Sequence, residues 1–554
     1  VDIQKADEEQ MEEYSKLLKD TQLALALKHG IGFIYANMDR KEHSIIRQLM
    51  EAGVFSFLLI SKDCCDEIFA SSFAMICGTE YYDIRDHHSK SYTANQLLEM
   101  IGNVKGKKNE TRRVIVYTTT SKKLYFRKFL QEPLPTESFL YFNFHDILIN
   151  GISNSIIECK QDCVDWLTYT YFYRRIHANP SFYGVKNSTE YGISAFLTEL
   201  VESTLEDLSN LSMIELNEKV AIKEDTDEDD AEDAIIPLNG CLISSHNNVS
   251  FITMHSFIMI SNKSSSLAKL LEVIASANEF EIIPLRQSDY SRLLKLQQLL
   301  PLKFTGSTDS DNTSFKVFIL LQAYFSRIEL PFSLQIDLKI ILGIITPLSN
   351  TLTEILGGNG YLNATIVMDI SQMVTQAIWD VDSPLRQIPY FDEQTLQKCT
   401  EKKVETVYDI MALEDEDRDE ILTMNNDKIM MVAKFINNYP NIEMKYSLEN
   451  AKNIVVNELN KLTVVIDRDG EPESLAVVSE RFPISKTEGW WIVVGETSTR
   501  QLYALKRVSL KEEHNQFEIE FMLPEEGEHS ITLWCICDSY MDADKEVTFD
   551  IKVK

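Results

Sequence analysis

Apolar and polar positions along the chain change period as it proceeds. Met11, Tyr14, Leu17, Leu18, Leu23, Leu25 and Leu27 recur at mostly helical spacing, which predicts a helix over 8–28 closed by His29-Gly30. A second helix spans about 39–52 and ends at Gly53. Between and after them, 54–60, 73–77 and 114–118 read as buried strands, the alternation of a parallel α/β layer. From 136 to 222 the pattern is helical, and long apolar helices follow at 267–280, 316–329, 334–357 and 364–379. A charged helical piece covers 396–438. From about 452 the period becomes two: 462–466, 490–494, 502–505, 517–521 and 531–535 are short strands separated by turn signals such as Asp467-Arg-Asp-Gly470. That spacing predicts a terminal β-sandwich. The fold class is multidomain, α/β then α then β.

Length and charge narrow the functional classes. At 554 residues, the chain holds roughly three to five packing units of ~100–200 residues each. A formal charge of −31 argues against broad duplex binding, which needs a basic footprint, so nucleic acid would have to thread a local channel. Glu224–Asp233 packs eight acidic residues into ten, a block that repels itself and reads as a solvated loop. Nine cysteines without a Cys-x-x-Cys pair fit a reducing cytosol or nucleus. No apolar run reaches a membrane span, because Ile340–Ile345 is cut short by Thr346-Pro347, and the charged start carries no signal-peptide core. The chain begins at Val1 without an initiating Met, as a fragment or a processed piece would.

Residue chemistry alone does not point to a self-sufficient enzyme. There is no phosphate loop of the Gly-x-x-x-x-Gly-Lys-Ser/Thr type, and Gly357-Gly-Asn-Gly360 ends a helix as a cap and turn. His87-His88 lacks partners at metal spacing, and no Gly-x-Ser-x-Gly elbow is present. Asp380-Val-Asp382-Ser-Pro384 reads as a helix exit, and Asp415-Glu-Asp417 as a solvated helix face.

Several segments resemble one family in order along the whole chain. Tyr173-Arg-Arg-Ile-His-Ala-Asn-Pro-Ser-Phe-Tyr-Gly184 resembles the start of the winged helix in helicases related to the antiviral Ski helicase. Leu320-Leu-Gln-Ala-Tyr-Phe-Ser-Arg327, Gln372-Met-Val-Thr-Gln-Ala-Ile-Trp379 and Asp382-Ser-Pro-Leu-Arg-Gln-Ile-Pro389 look like the Sec-sixty-three homology unit, and Gly489-Trp-Trp-Ile-Val-Val-Gly495 fits its sandwich. The likeness is to the tandem-cassette RNA helicases of the spliceosomal U-five particle, in a fungal version, and to their C-terminal cassette. It implies a second RecA-like lobe, incomplete and with degenerate motifs, at 1–135, and a winged helix at 136–240 bearing the acidic loop 224–233. A helical bundle with a ratchet helix at 241–395, a helix-loop-helix at 396–450 and an immunoglobulin-like sandwich at 451–554 complete it.

The departures carry as much information. Where the family reads Gln-x-x-Gly-Arg-x-Gly-Arg, this chain has Glu99-Met-Ile-Gly102-Asn103-Val-Lys105-Gly106. Asn103 and Gly106 replace both arginines, whose kind is worth ~10³–10⁵ in rate in other phosphoryl-transfer enzymes. Lys105 or Lys107 would be a point charge without the bidentate fork. Residues 61–70 also depart from the family's coupling loop. On the ratchet helix, Pro347 and Asn350 stand where relatives carry a strand-gripping Arg and Gln. Proline there costs roughly 3 kcal/mol unless a kink absorbs it, so a bent helix is expected. Arg286, Arg327 and Asn350 are the remaining RNA-contact candidates, with structural salt bridges as the plainer role for both arginines. Trp490, Trp491 and Trp534 are candidate partner anchors if exposed. Adjacent residues face opposite sides of a strand, so one of Trp490 and Trp491 is expected to point outward.

The resemblance therefore implies a catalytically inert cassette of a nuclear pre-mRNA splicing helicase. It would hold no cofactor of its own, ATP and Mg belonging to the parent protein, and no metal. Its implied partners are the N-terminal cassette of the same polypeptide and other spliceosomal proteins, with RNA contact weak or indirect and no membrane. The alternative is an active ATP-dependent RNA translocase cassette whose first RecA-like lobe lies upstream. An endoplasmic-reticulum translocation component is rejected, because it would need membrane spans and a His-Pro-Asp loop.

Overall fold

In a computed structural model, the residues described are 12, 14–35, 38–55, 57–64, 71–83, 88–102, 104, 112–131, 136–220, 232–260, 262–449, 454–470 and 474–553. The N-terminal lobe begins with α1 (Thr21–Lys28), whose first amides are capped by the Asp20 carboxylate. That cap starts a new helix where one unbroken helix over 8–28 was expected. It is followed by β1 (Ile31–Ile34), α2 (Arg40–Glu51) and β2 (Phe57–Ile60), with β1 and β2 parallel. Then come β3 (Phe73–Cys77), the hairpin β4 (Glu80–Asp83) and β5 (His88–Ser91), α3 (Ala94–Gly102), β6 (Arg113–Tyr117) and α4 (Thr120–Gln131). β3 and β6 also pair in parallel. Leu23, Leu27, Ile34, Ile46 and Phe55 centre a small core that belongs to this lobe alone.

The strands of the lobe are not buried as their apolar runs suggested. Phe57, Leu59, Phe73 and Met75 are 45–60% exposed, because each described parallel pair is a two-stranded ribbon rather than the centre of a covered sheet.

The next unit packs α5 (Phe144–Ser153), α6 (Lys160–Thr168), α7 (Tyr171–Ala178) and α8 (Glu190–Asn210) against an antiparallel hairpin, β7 (Ile214–Val220) and β8 (Glu232–Pro237). Residues 214–220 are thus strand and not the end of a helical stretch. Most of the acidic run, 224–231, lies outside the described residues. Glu232 opens β8. The Tyr173–Gly184 signature turns out to be a cradle: Arg175, Asn179 and Tyr183 all donate to the Glu137 carboxylate at 2.7–3.0 Å. Arg175 and Asn179 hold that carboxyl down to about 2.

The bundle follows: α9 (Asn239–Asn247), α10 (Phe251–Ile260), α11 (Leu267–Ala275), α12 (Gln287–Leu299), α13 (Thr313–Phe325), α14 (Phe332–Gly358) and α15 (Ala364–Gln376). One core runs from Phe144 of α5 through α13 and α14 to Trp379. By length and a mean hydropathy of 1.4, α14 is apolar enough to cross a membrane, contrary to the expected interruption at Pro347. It sits inside the bundle, with Leu334, Ile341, Ile345, Leu348 and Leu352 buried, so the apolar length serves the protein core.

Four short helices, α16 (Glu393–Glu401), α17 (Val407–Ala412), α18 (Asp415–Ile421) and α19 (Asn426–Asn438), lead into seven antiparallel strands. These are β9 (Ile442–Leu448), β10 (Asn460–Arg468), β11 (Trp490–Glu496), β12 (Gln501–Val508), β13 (His514–Phe521), β14 (Gly527–Cys537) and β15 (Lys545–Val553), in sheets ordered β13-β10-β9 and β12-β11-β14-β15. The four-stranded sheet is a middle layer. Along β11, Trp490, Ile492 and Val494 join the core shared with the other sheet and the short helices, while Trp491 and Val493 join the bundle core. Both tryptophans are therefore buried, at 0% and 2% exposure. The expectation that one faces outward fails because the bundle covers the sheet's second face. Of the described cysteines, all but Cys77 are buried.

Candidate functional site

The candidate residues gather around α14. This helix has no side-chain cap at Pro331; instead the Phe332 amide donates to the Met38 carbonyl at 3.4 Å, and His43 stacks on the Phe332 ring at 4.1 Å. The N-terminal lobe thus supplies one of the acceptors that the helix start lacks. At the other end Asn359 caps the helix and Gly360 takes φ +72°, with the Gln501 side chain and the Leu502 carbonyl close by, so the cap-and-turn reading holds. The helix runs unbroken through Pro347. The proline ring crowds the carbonyl four residues earlier, and that residue is the exposed Gly343, whose only neighbour on the Cβ side is the Ile484 side chain at 3.6 Å.

Arg286 lies in a buried quartet of charges. Its guanidinium meets Asp337 at 2.6 Å and Asp289 at 3.4 Å, and Lys316 of α13 meets the same two carboxylates at 2.7 and 2.9 Å. Two cations face two anions, and the Lys316 ammonium also donates to the Pro284 carbonyl. The cluster ties α12, α13 and α14 together. The sequence signal that could have found it is the lone Lys in the apolar Phe315–Phe325 run, since an isolated charge in an apolar helix needs a partner.

Arg327, by contrast, meets carbonyls and, among the described residues, pairs with no carboxylate. At φ +54° it directs Nε to the Ala377 carbonyl and Nη2 to the Gln376 and Arg386 carbonyls, at 3.0, 3.4 and 2.7 Å. It thereby closes the C-terminal end of α15. Burial, with Arg481 and Arg386 nearby, pushes it down to about 10. The expected salt bridge is replaced by a helix cap.

Asn350 and Trp491 are brought together by a residue that the sequence did not single out. Arg507 of β12 donates to Asn350 Oδ1 at 3.3 Å, lies 4.6 Å over the Trp491 ring and pairs with the buried Asp538. Gly489 makes room: a Cβ there would stand 2.4 Å from the guanidinium. Asp538 is also held by Lys486, which donates to Ser371, Thr375 and the Asp538 carbonyl. The loop 538–544 is a joint for three units: Gln372 (to the Asp544 carboxylate) and Gln376 of α15, Gln387, and Tyr439 beyond α19 all donate into it. Trp534 is half-buried and donates to Glu546 on the neighbouring strand at 3.0 Å. Trp490 and Trp491 are buried in the core, and Trp534 keeps part of its surface exposed.

The same joint holds carboxyls with raised pKa. Burial pushes Asp369 up to about 7, with Asp380 adding to it. Asp544 also rises to about 7, chiefly by burial, with Asp369 and Asp542 opposing its charge. Unfolded carboxyls release their protons near pH 4. The folded chain keeps them to about pH 7, so the stability they contribute is complete below pH 4 and lost as pH rises to 7. Asp369→Asn should flatten that fall and raise the thermal midpoint at pH 8 relative to the parent; a midpoint unchanged at pH 8 would contradict the assignment.

Glu99 and Gly102 are exposed at the end of α3. Asn103, Lys105, Gly106 and Lys107 lie outside the described residues, as do 65–70 and His87. Asp382 accepts from the Trp379 amide and Arg386, the helix exit expected. Among the described residues no cluster of His, Cys, Asp and Glu is arranged to hold a metal.

The sequence matches the Sec63 Brl domain over residues 237–550 and a winged helix-turn-helix domain over 137–218. The pre-mRNA-splicing factor brr2 of Schizosaccharomyces pombe is 38% identical over 542 residues, which is 97% of this chain and 24% of that protein. The U5 small nuclear ribonucleoprotein 200 kDa helicase of Homo sapiens is 34% identical, covering 98% of this chain and 25% of its own length. The DExH-box ATP-dependent RNA helicase DExH12 of Arabidopsis thaliana is 34% identical over 99% of this chain, again 25% of the relative. The chain spans about a quarter of the curated relatives it matches.

Proposed function

The chain belongs to the Sec63 Brl domain family, and from that premise we propose that it is a catalytically inert C-terminal helicase cassette of a spliceosomal ATP-dependent RNA helicase. It acts in pre-mRNA splicing as a protein-docking platform and as a regulator of an active N-terminal cassette on the same polypeptide. Its compartment is the nucleus, its other partners are spliceosomal proteins, and RNA contact is weak or indirect. ATP and Mg serve the parent helicase through residues outside this chain. The units are those read from the sequence, with an immunoglobulin-like sandwich formed by the two terminal sheets.

The observation that carries this reading is the internal engagement of groups a strand-gripping cassette would present. Arg286 is held by two buried carboxylates, Asn350 by Arg507, and Arg327 by three carbonyls. Asn103 and Gly106 in place of two arginines support it from the sequence.

The test is ATP turnover by the complete cassette, with its upstream lobe, in the presence and absence of RNA. Turnover about 10³-fold or more below that of an active cassette is expected from the two missing arginines. RNA-stimulated turnover at the level of an active cassette would establish the translocase reading instead.

A further inference from the structure

Helix α4 combines cationic and apolar side chains without a carboxylate. The stretch 111–131 carries Arg112, Arg113, Lys122, Lys123, Arg127 and Lys128 and no Asp or Glu, in a chain of formal charge −31. Phe126 turns inward at 5% exposure, whereas Leu124, Tyr125 and Leu130 are 74%, 53% and 50% exposed. Lys123, Arg127 and Lys128 are exposed beside them. Lys122 is engaged by Glu80 and Ser91 of the β4–β5 hairpin. Helical spacing sets Lys123, Arg127 and Leu130 in one row and Leu124 with Lys128 in the next, so aliphatic and cationic groups interleave on a single outward face.

We propose that this face of α4 docks an acidic, leucine- or phenylalanine-bearing segment of a partner protein. Charge complementarity selects the sign, because Lys123, Arg127 and Lys128 are exposed together on a helix that carries no carboxylate. The leucines select the class. A phosphate backbone would pair with the cations but would leave Leu124 and Leu130 in water. A peptide whose carboxylates flank apolar side chains satisfies both kinds of group, and burial of each leucine adds to the binding. The proposal gives a surface and a partner chemistry to the docking role above, on which it rests.

The experiment is fluorescence anisotropy on the full chain with three labelled probes: a synthetic peptide of repeated Asp-Glu-Leu-Phe, polyglutamate of equal length, and an oligouridylate. The peptide should bind best. Its affinity should fall about tenfold in K123E/R127E/K128E and about fivefold in L124A/L130A, with thermal midpoints unchanged, as expected for exposed positions. Binding should also weaken with added salt. Tighter binding of the oligouridylate, equal binding of polyglutamate, no binding of the peptide, or indifference to charge reversal would each overturn it. If splicing proteins bind the charge-reversed chain undiminished while the peptide probe fails, the α4 surface is wrong and the docking role stands.

Discussion

Replacing Asp337 with alanine should destabilise the chain by about 3–5 kcal/mol, the usual cost of removing one partner from a buried ion pair. Asp337 and Lys316 are 0% and 1% exposed, and Arg286 is nearly as covered. With Asp337 gone, two cations share Asp289 alone in a setting that water cannot reach to compensate. Urea unfolding followed by tryptophan fluorescence reads the effect as a lower midpoint. A midpoint equal to the parent's would mean that the quartet is already hydrated. The double variant K316M/D337L removes one cation and one anion together and should recover most of the loss, since an apolar pair of similar size often replaces a buried ion pair without penalty. Recovery would separate the cost of an unpaired charge from the cost of lost packing.

Trp491→Ala should cost a similar ~3–5 kcal/mol, and Trp490→Ala as much, but in different places. Trp491 packs into the bundle core and carries the Arg507 stack that reaches Asn350. Trp490 packs between the two sheets, with its indole donating to Glu488 at 2.7 Å. Hydrogen exchange distinguishes them. W491A should speed exchange in the second half of α14 and in β12, while W490A should do so in β10 and β13. Identical exchange maps for the two variants would refute the middle-layer arrangement.

Local chemistry made much of this architecture legible. Apolar spacing marked α2, α13, α14 and α15 to within a few residues, and the switch to period two marked β10, β11, β13 and β14. The helix stop at Gly357–Gly360 and the exit at Asp382 needed only turn and cap preferences, which act over a few residues.

What the sequence by itself determined is most of the succession of elements, and the family, because both depend on short-range spacing and on motifs contiguous in the chain. Only the tertiary structure decided where the candidate residues work. Trp491 is buried because a bundle more than a hundred residues earlier covers its face of β11. Pro347 sits inside α14 without ending it. Arg286, Arg327 and Asn350 are engaged by Asp337, the Ala377 carbonyl and Arg507, partners 51, 50 and 157 residues away. Such pairings follow from which surfaces the folded layers press together, and no local pattern encodes that contact.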